Sequence, residues 1–303
     1  MTERPATVAL KVDVDTFIGT RDGVPRLLET LKRFHIRATF YFSLGPDNSG
    51  KAIRRIFRKG FLEKMLRTRA PSVYGLRTML YGTLLPPPII GERLPQILQL
   101  TEQEGHEIGI HCWDHVKWHD YLPWLPKQSA LLELGRASAL FEEIIGRRTR
   151  TTAAPGWTVT ADSLEIQDAM GLTHCSDARG THPFYPVMEG RFFNTLQIPS
   201  TWPTMDELLG ENGITTANIN DHYLSLLQPG LNVHTIHAEL EGKAFSDLFT
   251  DLLQRLRNRG VRFMTLDEVA KDVGYDAPAC ELAMGTIAGR AMPVALQGMN
   301  RDA

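Results

Sequence analysis

Short apolar runs alternate along the chain with longer stretches of helical periodicity. The first run, 7–14, places Val8, Leu10, Val12 and Val14 at alternate positions, which predicts a buried β-strand. Further strands are predicted at 36–43, 107–111, 150–154, 172–176, 195–199, 232–237 and 261–265. Amphipathic helices are predicted between them at 24–34, 91–104, 127–145, 161–170, 215–227 and 244–259. Glycines mark the expected ends of four helices: Gly105, Gly146, Gly171 and Gly260.

Seven or eight alternating strand and helix units favour a parallel sheet closed into a barrel. The polar residues that could do chemistry follow the carboxyl ends of strands, the face on which such barrels build their sites. The length of 303 residues suits one α/β barrel, and no linker or repeat divides the chain.

Two carboxylates end the first strand. Asp13 and Asp15 are two apart, so they share one face at a spacing of roughly 6–7 Å along the backbone. One could bind a metal while the other holds or deprotonates a water. The residues alone leave open which aspartate does which.

Two histidines could join them. His111 and His115 are four apart in HisCysTrpAspHis (111–115), a spacing that lets two imidazoles converge on one ion from a helical turn. Two imidazoles and one carboxylate leave coordination positions open, as in catalytic zinc or iron(II) sites. A later IleHis (236–237) adds His237 at another strand end. These pieces indicate a hydrolase using one divalent metal: zinc, manganese, cobalt or iron(II).

Composition narrows the setting. The chain is 43% hydrophobic and 22% charged with a net charge of −2, so it has no general attraction to nucleic acid. Three widely spaced cysteines favour a reducing compartment. The N-terminus has no apolar signal core, and no run reaches the ~18 apolar residues of a membrane span. A cytoplasmic location is expected.

A basic insertion at about 46–90 interrupts the alternation. Residues 51–77 carry nine basic residues, among them Arg54, Arg55, Arg58 and Lys59, against the single acid Glu63. Apolar residues are interleaved with them, which favours an interfacial element for anionic lipid or a phosphorylated ligand. The alternative is a solvated helix packed on the barrel. From about 271 the chain is rich in Ala, Gly and Met, and a loosely ordered tail is expected for 271–303.

These motifs resemble the polysaccharide deacetylase (NodB-homology) family. The resemblance spans residues 1–270, insertion included, and implies a distorted (β/α)7 barrel. A narrower resemblance is to the family members that deformylate 4-deoxy-4-formamido-L-arabinose phosphoundecaprenol in lipid A modification. It rests on the aspartate and histidine motifs together with PheSerLeuGlyProAspAsn (42–48), SerAspAlaArgGly (176–180), GlnIleProSerThrTrpProThr (197–204) and HisThrIleHisAlaGlu (234–239).

The resemblance also implies roles. Asp13 would be the general base, Asp15, His111 and His115 the metal ligands, and His237 the acid that protonates the leaving amine. The backbone N–H of Gly156 would stabilise the oxyanion. The products would be formate and 4-amino-4-deoxyarabinose phosphoundecaprenol. The free amine later lowers the negative charge of lipid A, so the pathway implies polymyxin resistance. The enzyme would work at the inner face of the bacterial inner membrane.

One position departs from the family pattern. Many deacetylases carry an arginine in the third motif that pairs with the base aspartate, and Ala153 stands there. Arg179 is the first candidate to replace it, and Arg21 the second.

Other functions use the same residues. A cytoplasmic deacetylase or amidohydrolase of a soluble N-acylated sugar or cyclic amide would need the same catalytic set, but not the basic insertion. A non-catalytic lipid-binding protein on a decayed scaffold is disfavoured by the intact motifs.

Overall fold

The computed structural model describes residues 5–52 and 78–300 as an α/β architecture built on a curled, mostly parallel sheet. Its strands are β1 (Ala6–Val14), β2 (Thr39–Ser43), β3 (Glu107–Cys112), β4 (Thr151–Thr152), β5 (His174–Cys175), β6 (Tyr185–Met188), β7 (Arg191–Phe192), β8 (Leu196–Gln197), β9 (Gly230–His237), β10 (Arg262–Met264), β11 (Ala279–Gly285) and β12 (Val294–Asn300). Its α-helices are α1 (Val24–Arg33), α2 (Ile90–Arg93), α3 (Pro95–Gln103), α4 (His115–Tyr121), α5 (Lys127–Ile145), α6 (Ala161–Met170), α7 (Met205–Leu208), α8 (Ile219–Leu226), α9 (Ser246–Asn258) and α10 (Leu266–Val273).

The parallel strands form a distorted barrel. β9, β1, β2, β3, β4, β5 and β8 are neighbours in this order, and β10 pairs with the start of β1. Beyond β8 the chain returns to β9, where the N–H groups of Thr201 and Trp202 donate to the Val233 carbonyl at 3.0 and 3.2 Å. All eight predicted strands are present, although three are only two residues long. The predicted fold class is confirmed.

The two faces of β1 pack into two different apolar clusters. Val8, Leu10, Val12 and Val14 belong to the large apolar cluster that packs against the outer helices. Ala9 belongs instead to a cluster with residues of other strands, including Tyr41, Ala153, Ile198 and Val233, inside the barrel. Successive side chains of a strand alternate between faces. Lys11 and Asp13 therefore point into the barrel with Ala9, in spite of the cost of burying charge.

The final segment corrects an expectation. Instead of a loosely ordered tail, β11 and β12 pair with β6 and β7 in a four-stranded sheet ordered β12–β11–β6–β7. Cys280, Leu282, Val294 and Ala295 are buried there. Glycines and charges obscure the period-two pattern, and partners far away in the chain supply the ordering. β6 and β7 were also not predicted.

The predicted helix 91–104 is divided. Pro95 begins α3, and α2 ends at Arg93, because proline cannot donate the backbone hydrogen bond that would continue a helix. The basic residues Arg54, Arg55, Arg58 and Lys59 lie outside the described residues, so their role stays a prediction. Among the helices of 5–52 and 78–300, none has the length and apolar character needed to cross a membrane.

Candidate active site

The carboxyl end of the barrel brings three potential metal ligands together. His111 Nε2 lies 3.2 Å from Asp15 Oδ1, and His115 Nε2 lies 3.5 Å from Asp15 Oδ2. One ligand atom from each residue lies within 4.8 Å of the others. His111 is the next-to-last residue of β3 and His115 begins α4, so the two histidines come from a strand and a helix and not from one helical turn as expected.

Hydrogen bonding fixes the orientation of His111. Its Nδ1 lies 2.7 Å from the Ala153 carbonyl oxygen. A carbonyl can only accept, so Nδ1 carries a proton and Nε2 is the ring nitrogen that faces Asp15. Burial opposes the ionisation of Asp15, but the imidazoles of His115 and His111 outweigh it and hold the pKa of that carboxyl far below its ordinary value. A half-buried carboxylate facing two imidazoles fits a divalent cation, so the three residues suit the predicted metal.

Asp13 has a cation beside it. Lys11 Nζ lies 3.3 Å from Asp13 Oδ2 and donates to the Ser176 carbonyl at 3.0 Å, and both side chains are almost fully buried. The arginine candidates are not placed there. Arg179 donates to both Glu207 oxygens, at 2.9 and 2.8 Å, and exposed Arg21 pairs with Asp22. The cation beside the predicted base is therefore Lys11, two residues earlier on the same face of β1.

His237 stands next to Asp13. The two residues are paired in the register of β9 and β1. Burial opposes protonation of His237, but the carboxylates of Asp15, Asp206 and Asp13 outweigh it and raise the pKa of the imidazole. The backbone N–H of His237 donates to Glu241 Oε2 at 2.9 Å. A raised pKa favours the protonated imidazole, the form that can act as an acid.

His234 lies three residues before His237 on β9, and its pKa is shifted in the opposite direction. Burial lowers its pKa to about 3, helped by His237 and Arg179, so it remains neutral in the core.

The Gly156 backbone lies against this group. Gly156 and Trp157 have positive φ angles of 60° and 52°. A Cβ on Gly156 would lie 2.0 Å from His119 Cδ2, and the His119 ring stacks on His115 at a centroid distance of 6.0 Å. Only glycine therefore lets the backbone come this close to the histidines.

Two of the sequence motifs hold the loops in place. In 42–48, Asp47 Oδ2 accepts from the Phe17 N–H at 2.9 Å, and Asn48 Nδ2 donates to Asp114 Oδ2 at 2.6 Å. Asp114 also caps α4 by accepting from the Lys117 N–H. The loops that follow β1, β2 and β3 are thus tied together around the ligands.

The second motif, 176–180, forms hydrogen bonds with residues of other strands and helices of the barrel. Asp177 Oδ1 accepts from the Ala154 N–H at 2.6 Å, and its Oδ2 accepts from Gln167 and Gln197. Ser176 supplies the carbonyl that holds Lys11. This motif acts through scaffold contacts, and its arginine does not reach Asp13.

Comparison with known proteins identifies the family. The polysaccharide deacetylase family model matches residues 2–175, more than half of the chain. The chain belongs to the polysaccharide deacetylase family. It is accordingly a hydrolase that acts on an amide C–N bond.

Two relatives within this family match almost end to end. A protein of Shewanella sediminis (strain HAW-EB3), named as the 4-deoxy-4-formamido-L-arabinose-phosphoundecaprenol deformylase ArnD, is 39% identical over 93% of this chain and 92% of its own length. A protein of Wigglesworthia glossinidia brevipalpis with the same name is 31% identical over 90% of this chain and 96% of its own.

Solved structures support the polysaccharide deacetylase fold. A Mycobacterium smegmatis protein described as a polysaccharide deacetylase superposes with a TM-score of 0.64 at 16% identity, over 94% of this chain and 96% of its own. The Xyl-CE4 domain of a multidomain xylanase from the hindgut metagenome of Trinervitermes trinervoides superposes with a TM-score of 0.53 at 14% identity, covering 89% and 92%.

Several site residues were missed by sequence reasoning. Lys11 left a signal, since a lysine inside a buried strand two residues before an aspartate calls for a partner. No local sequence pattern indicates Asp206, Glu207 or Arg290, because long-range packing brings them to the site.

Proposed function

We propose that the chain removes the formyl group from 4-deoxy-4-formamido-L-arabinose phosphoundecaprenol, giving formate and the 4-amino-4-deoxyarabinose lipid that modifies lipid A. The observation that carries this proposal is the convergence of Asp13, His237 and the group of three potential ligands at one end of the barrel. The two relatives that match more than nine tenths of the chain bear the name of this activity. Amine-bearing lipid A carries less negative charge, which connects the reaction to polymyxin resistance.

Asp15, His111 and His115 would hold one divalent metal ion. When bound, such an ion supplies a Lewis acid that polarises the formyl oxygen and makes a water more acidic. Zinc, manganese, cobalt and iron(II) all suit this donor set. The hydrogen bond from His111 Nδ1 to the Ala153 carbonyl fixes the direction of Nε2, the atom that would bind the ion.

Asp13 acts as general base in this proposal. Its carboxylate takes a proton as water attacks the formamide carbon, forming the new C–O bond. Lys11 Nζ, 3.3 Å from the carboxylate, keeps it in one orientation. The Gly156 N–H donates to the oxygen that gains negative charge.

His237 completes the reaction. Its raised pKa favours the protonated imidazole, which can protonate the sugar nitrogen as the C–N bond breaks. The pairing of Asp13 with His237 across β1 and β9 supports this proposal, because the reaction removes one proton and delivers another.

A lipid-linked substrate is supported by the position of the insertion. Its described ends lie beside the site: Tyr81 packs edge-on against Phe17 at 6.4 Å, two residues after Asp15. Leu84, on the same segment, is 81% exposed. A basic and apolar element at this place would bring the site to an anionic membrane surface. We therefore propose a peripheral location on the cytoplasmic face of the inner membrane.

The test is formate release from synthetic 4-formamido-arabinose phosphoprenol by the purified, metal-loaded protein. Parallel reactions use an EDTA-treated sample, the 4-acetamido analogue and soluble N-acylated sugars. Chelator-sensitive formate from the lipid-linked compound is expected. Turnover of a soluble acylated sugar or cyclic amide, with no formate from the lipid and with metal bound, would favour the amidohydrolase alternative.

A further inference from the structure

A guanidinium group beside the site is buried without a full set of partners. Arg290 lies in the loop between β11 and β12, and its side chain is 13% exposed. Its Nε donates to Glu207 Oε1 at 2.6 Å. Its Nη2 is buried, and residues 5–52 and 78–300 offer it no hydrogen-bond acceptor. A buried donor left without an acceptor costs free energy unless a ligand satisfies it.

Glu207 cannot satisfy this nitrogen, because it is already shared. Arg179 Nη1 donates to both of its oxygens, and the Thr204 N–H donates to Oε2 at 2.9 Å. Burial opposes ionisation of Glu207, yet Arg290 and Arg179 outweigh it and lower the pKa of the carboxyl. One carboxylate therefore accepts hydrogen bonds from two guanidinium groups and a backbone N–H, and Arg290 Nη2 is left without an acceptor among the residues that the structure describes.

The loop holds Arg290 in a fixed place. Gly289, the preceding residue, has φ +78°, and a Cβ there would lie 2.6 Å from the Glu207 carbonyl oxygen. The Arg290 guanidinium carbon lies 4.6 Å from the centre of the Trp157 ring. An ion pair on one side and an aromatic face on the other restrict the guanidinium, so binding to it would cost little conformational entropy.

Trp157 connects Arg290 to the reaction centre. It directly follows Gly156, and the Lys11 ammonium, which contacts Asp13, lies 5.1 Å from the same indole. Burial opposes the charge of Arg290, but the carboxylates of Asp206, Glu207 and Asp15 raise the pKa of the guanidinium.

We propose that the free end of the Arg290 guanidinium binds the phosphodiester of the substrate. This inference rests on the proposed function, which supplies a sugar with the formamide at one end of the ring and the phosphate at the other. A planar guanidinium matches the geometry of phosphate oxygens and forms charge-assisted hydrogen bonds with them. Arg290 would bind the phosphate while the formamide reacts at the other end of the sugar ring. It would therefore favour phosphate-linked sugars over free sugars.

The test compares two probes by calorimetry on the metal-loaded protein: a short-chain prenyl phosphodiester of 4-amino-arabinose and the neutral methyl glycoside of the same sugar. The wild type should bind the phosphodiester more tightly. Arg290→Gln should lower this preference about 10- to 100-fold, the range expected for loss of a charge-assisted hydrogen bond. Arg290→Lys should retain part of it, because it keeps the charge without the planar fork.

The matched control is Arg255→Gln, an arginine on α9 that pairs with Asp221 and Asp251 and is 42% exposed. It should keep the wild-type preference. Melting temperatures report whether each variant is folded, and Arg290→Lys serves if Arg290→Gln does not fold. An unchanged preference in the Arg290 variants, or a wild type without any preference, would overturn the inference. Formate release is measured separately, so its absence would count against the proposed function while the affinities still decide the role of Arg290.

Discussion

The ammonium group of Lys11 lies 3.3 Å from a carboxylate oxygen of Asp13, inside the barrel, where neither side chain is open to solvent. A buried charge needs a partner, and removing one member of such a pair leaves the other uncompensated. Ala153 stands where the family pattern predicts an arginine, and its methyl group cannot pair with a carboxylate. The cation beside the predicted base thus lies on the first strand and not in the third motif.

Lys11→Met should lower kcat by about 100-fold, the loss that a displacement of about 1 Å of a catalytic group can cause. Metal content should stay unchanged, because Lys11 does not contact the three potential ligands. Lys11→Arg, which keeps a cation at this position, should recover part of the rate. Steady-state formate release with metal analysis on the same samples checks this. A Lys11→Met protein with wild-type kcat would show that Asp13 needs no cation.

Gly156→Ala should lower kcat by about 100- to 1000-fold, the range seen when an oxyanion donor is lost. The added methyl group would meet the His119 ring, which stacks on His115, and would displace the Gly156 backbone or the histidines. Gly146→Ala, where a Cβ meets nothing within 4 Å, is the control for a positive-φ glycine away from the site. Equal kcat values for the two variants would show that Gly156 has no role in the mechanism.

Asp206→Asn should move the alkaline limb of the kcat profile to lower pH. Asp206 is one of the carboxylates that raise the pKa of His237. A raised pKa keeps the acid protonated as pH increases, so activity falls only when pH passes that value. Without the Asp206 charge the imidazolium loses its proton at a lower pH. A pH series of kcat checks this, and a limb that stays in place would contradict the assignment of His237 as the acid.

The aspartates and histidines of the site could be predicted from the sequence, whereas the cation beside Asp13 and the C-terminal strands could not. Asp13, Asp15, His111 and His115 lie in short segments at strand ends, where parallel topology brings separate segments together. Arg179 was the wrong choice for the cation, because its local motif does not reveal that it folds toward Glu207. The order of β11 and β12 depends on pairing with β6, some ninety residues earlier, which no local pattern contains.

Leu282→Ala should destabilise the protein by about 2–5 kcal/mol, the usual cost of emptying a core site. Leu282 is 2% exposed in the cluster that joins β11 to Phe184 and Phe193. Met299→Ala, on β12 but 85% exposed, should have little effect. Denaturant unfolding of both variants measures the difference. Equal stabilities would mean that the C-terminal strands do not belong to the folded core.

The most direct test of the account measures formate release and bound metal together in wild type and Asp13→Asn, with the lipid-linked formamide as substrate. The account predicts that the variant retains its metal, because Asp15, His111 and His115 are intact. Its formate release should fall by about 100- to 10000-fold, the contribution of a positioned general base. Wild-type release of formate by a metal-loaded Asp13→Asn protein would contradict the assignment of Asp13 as the base.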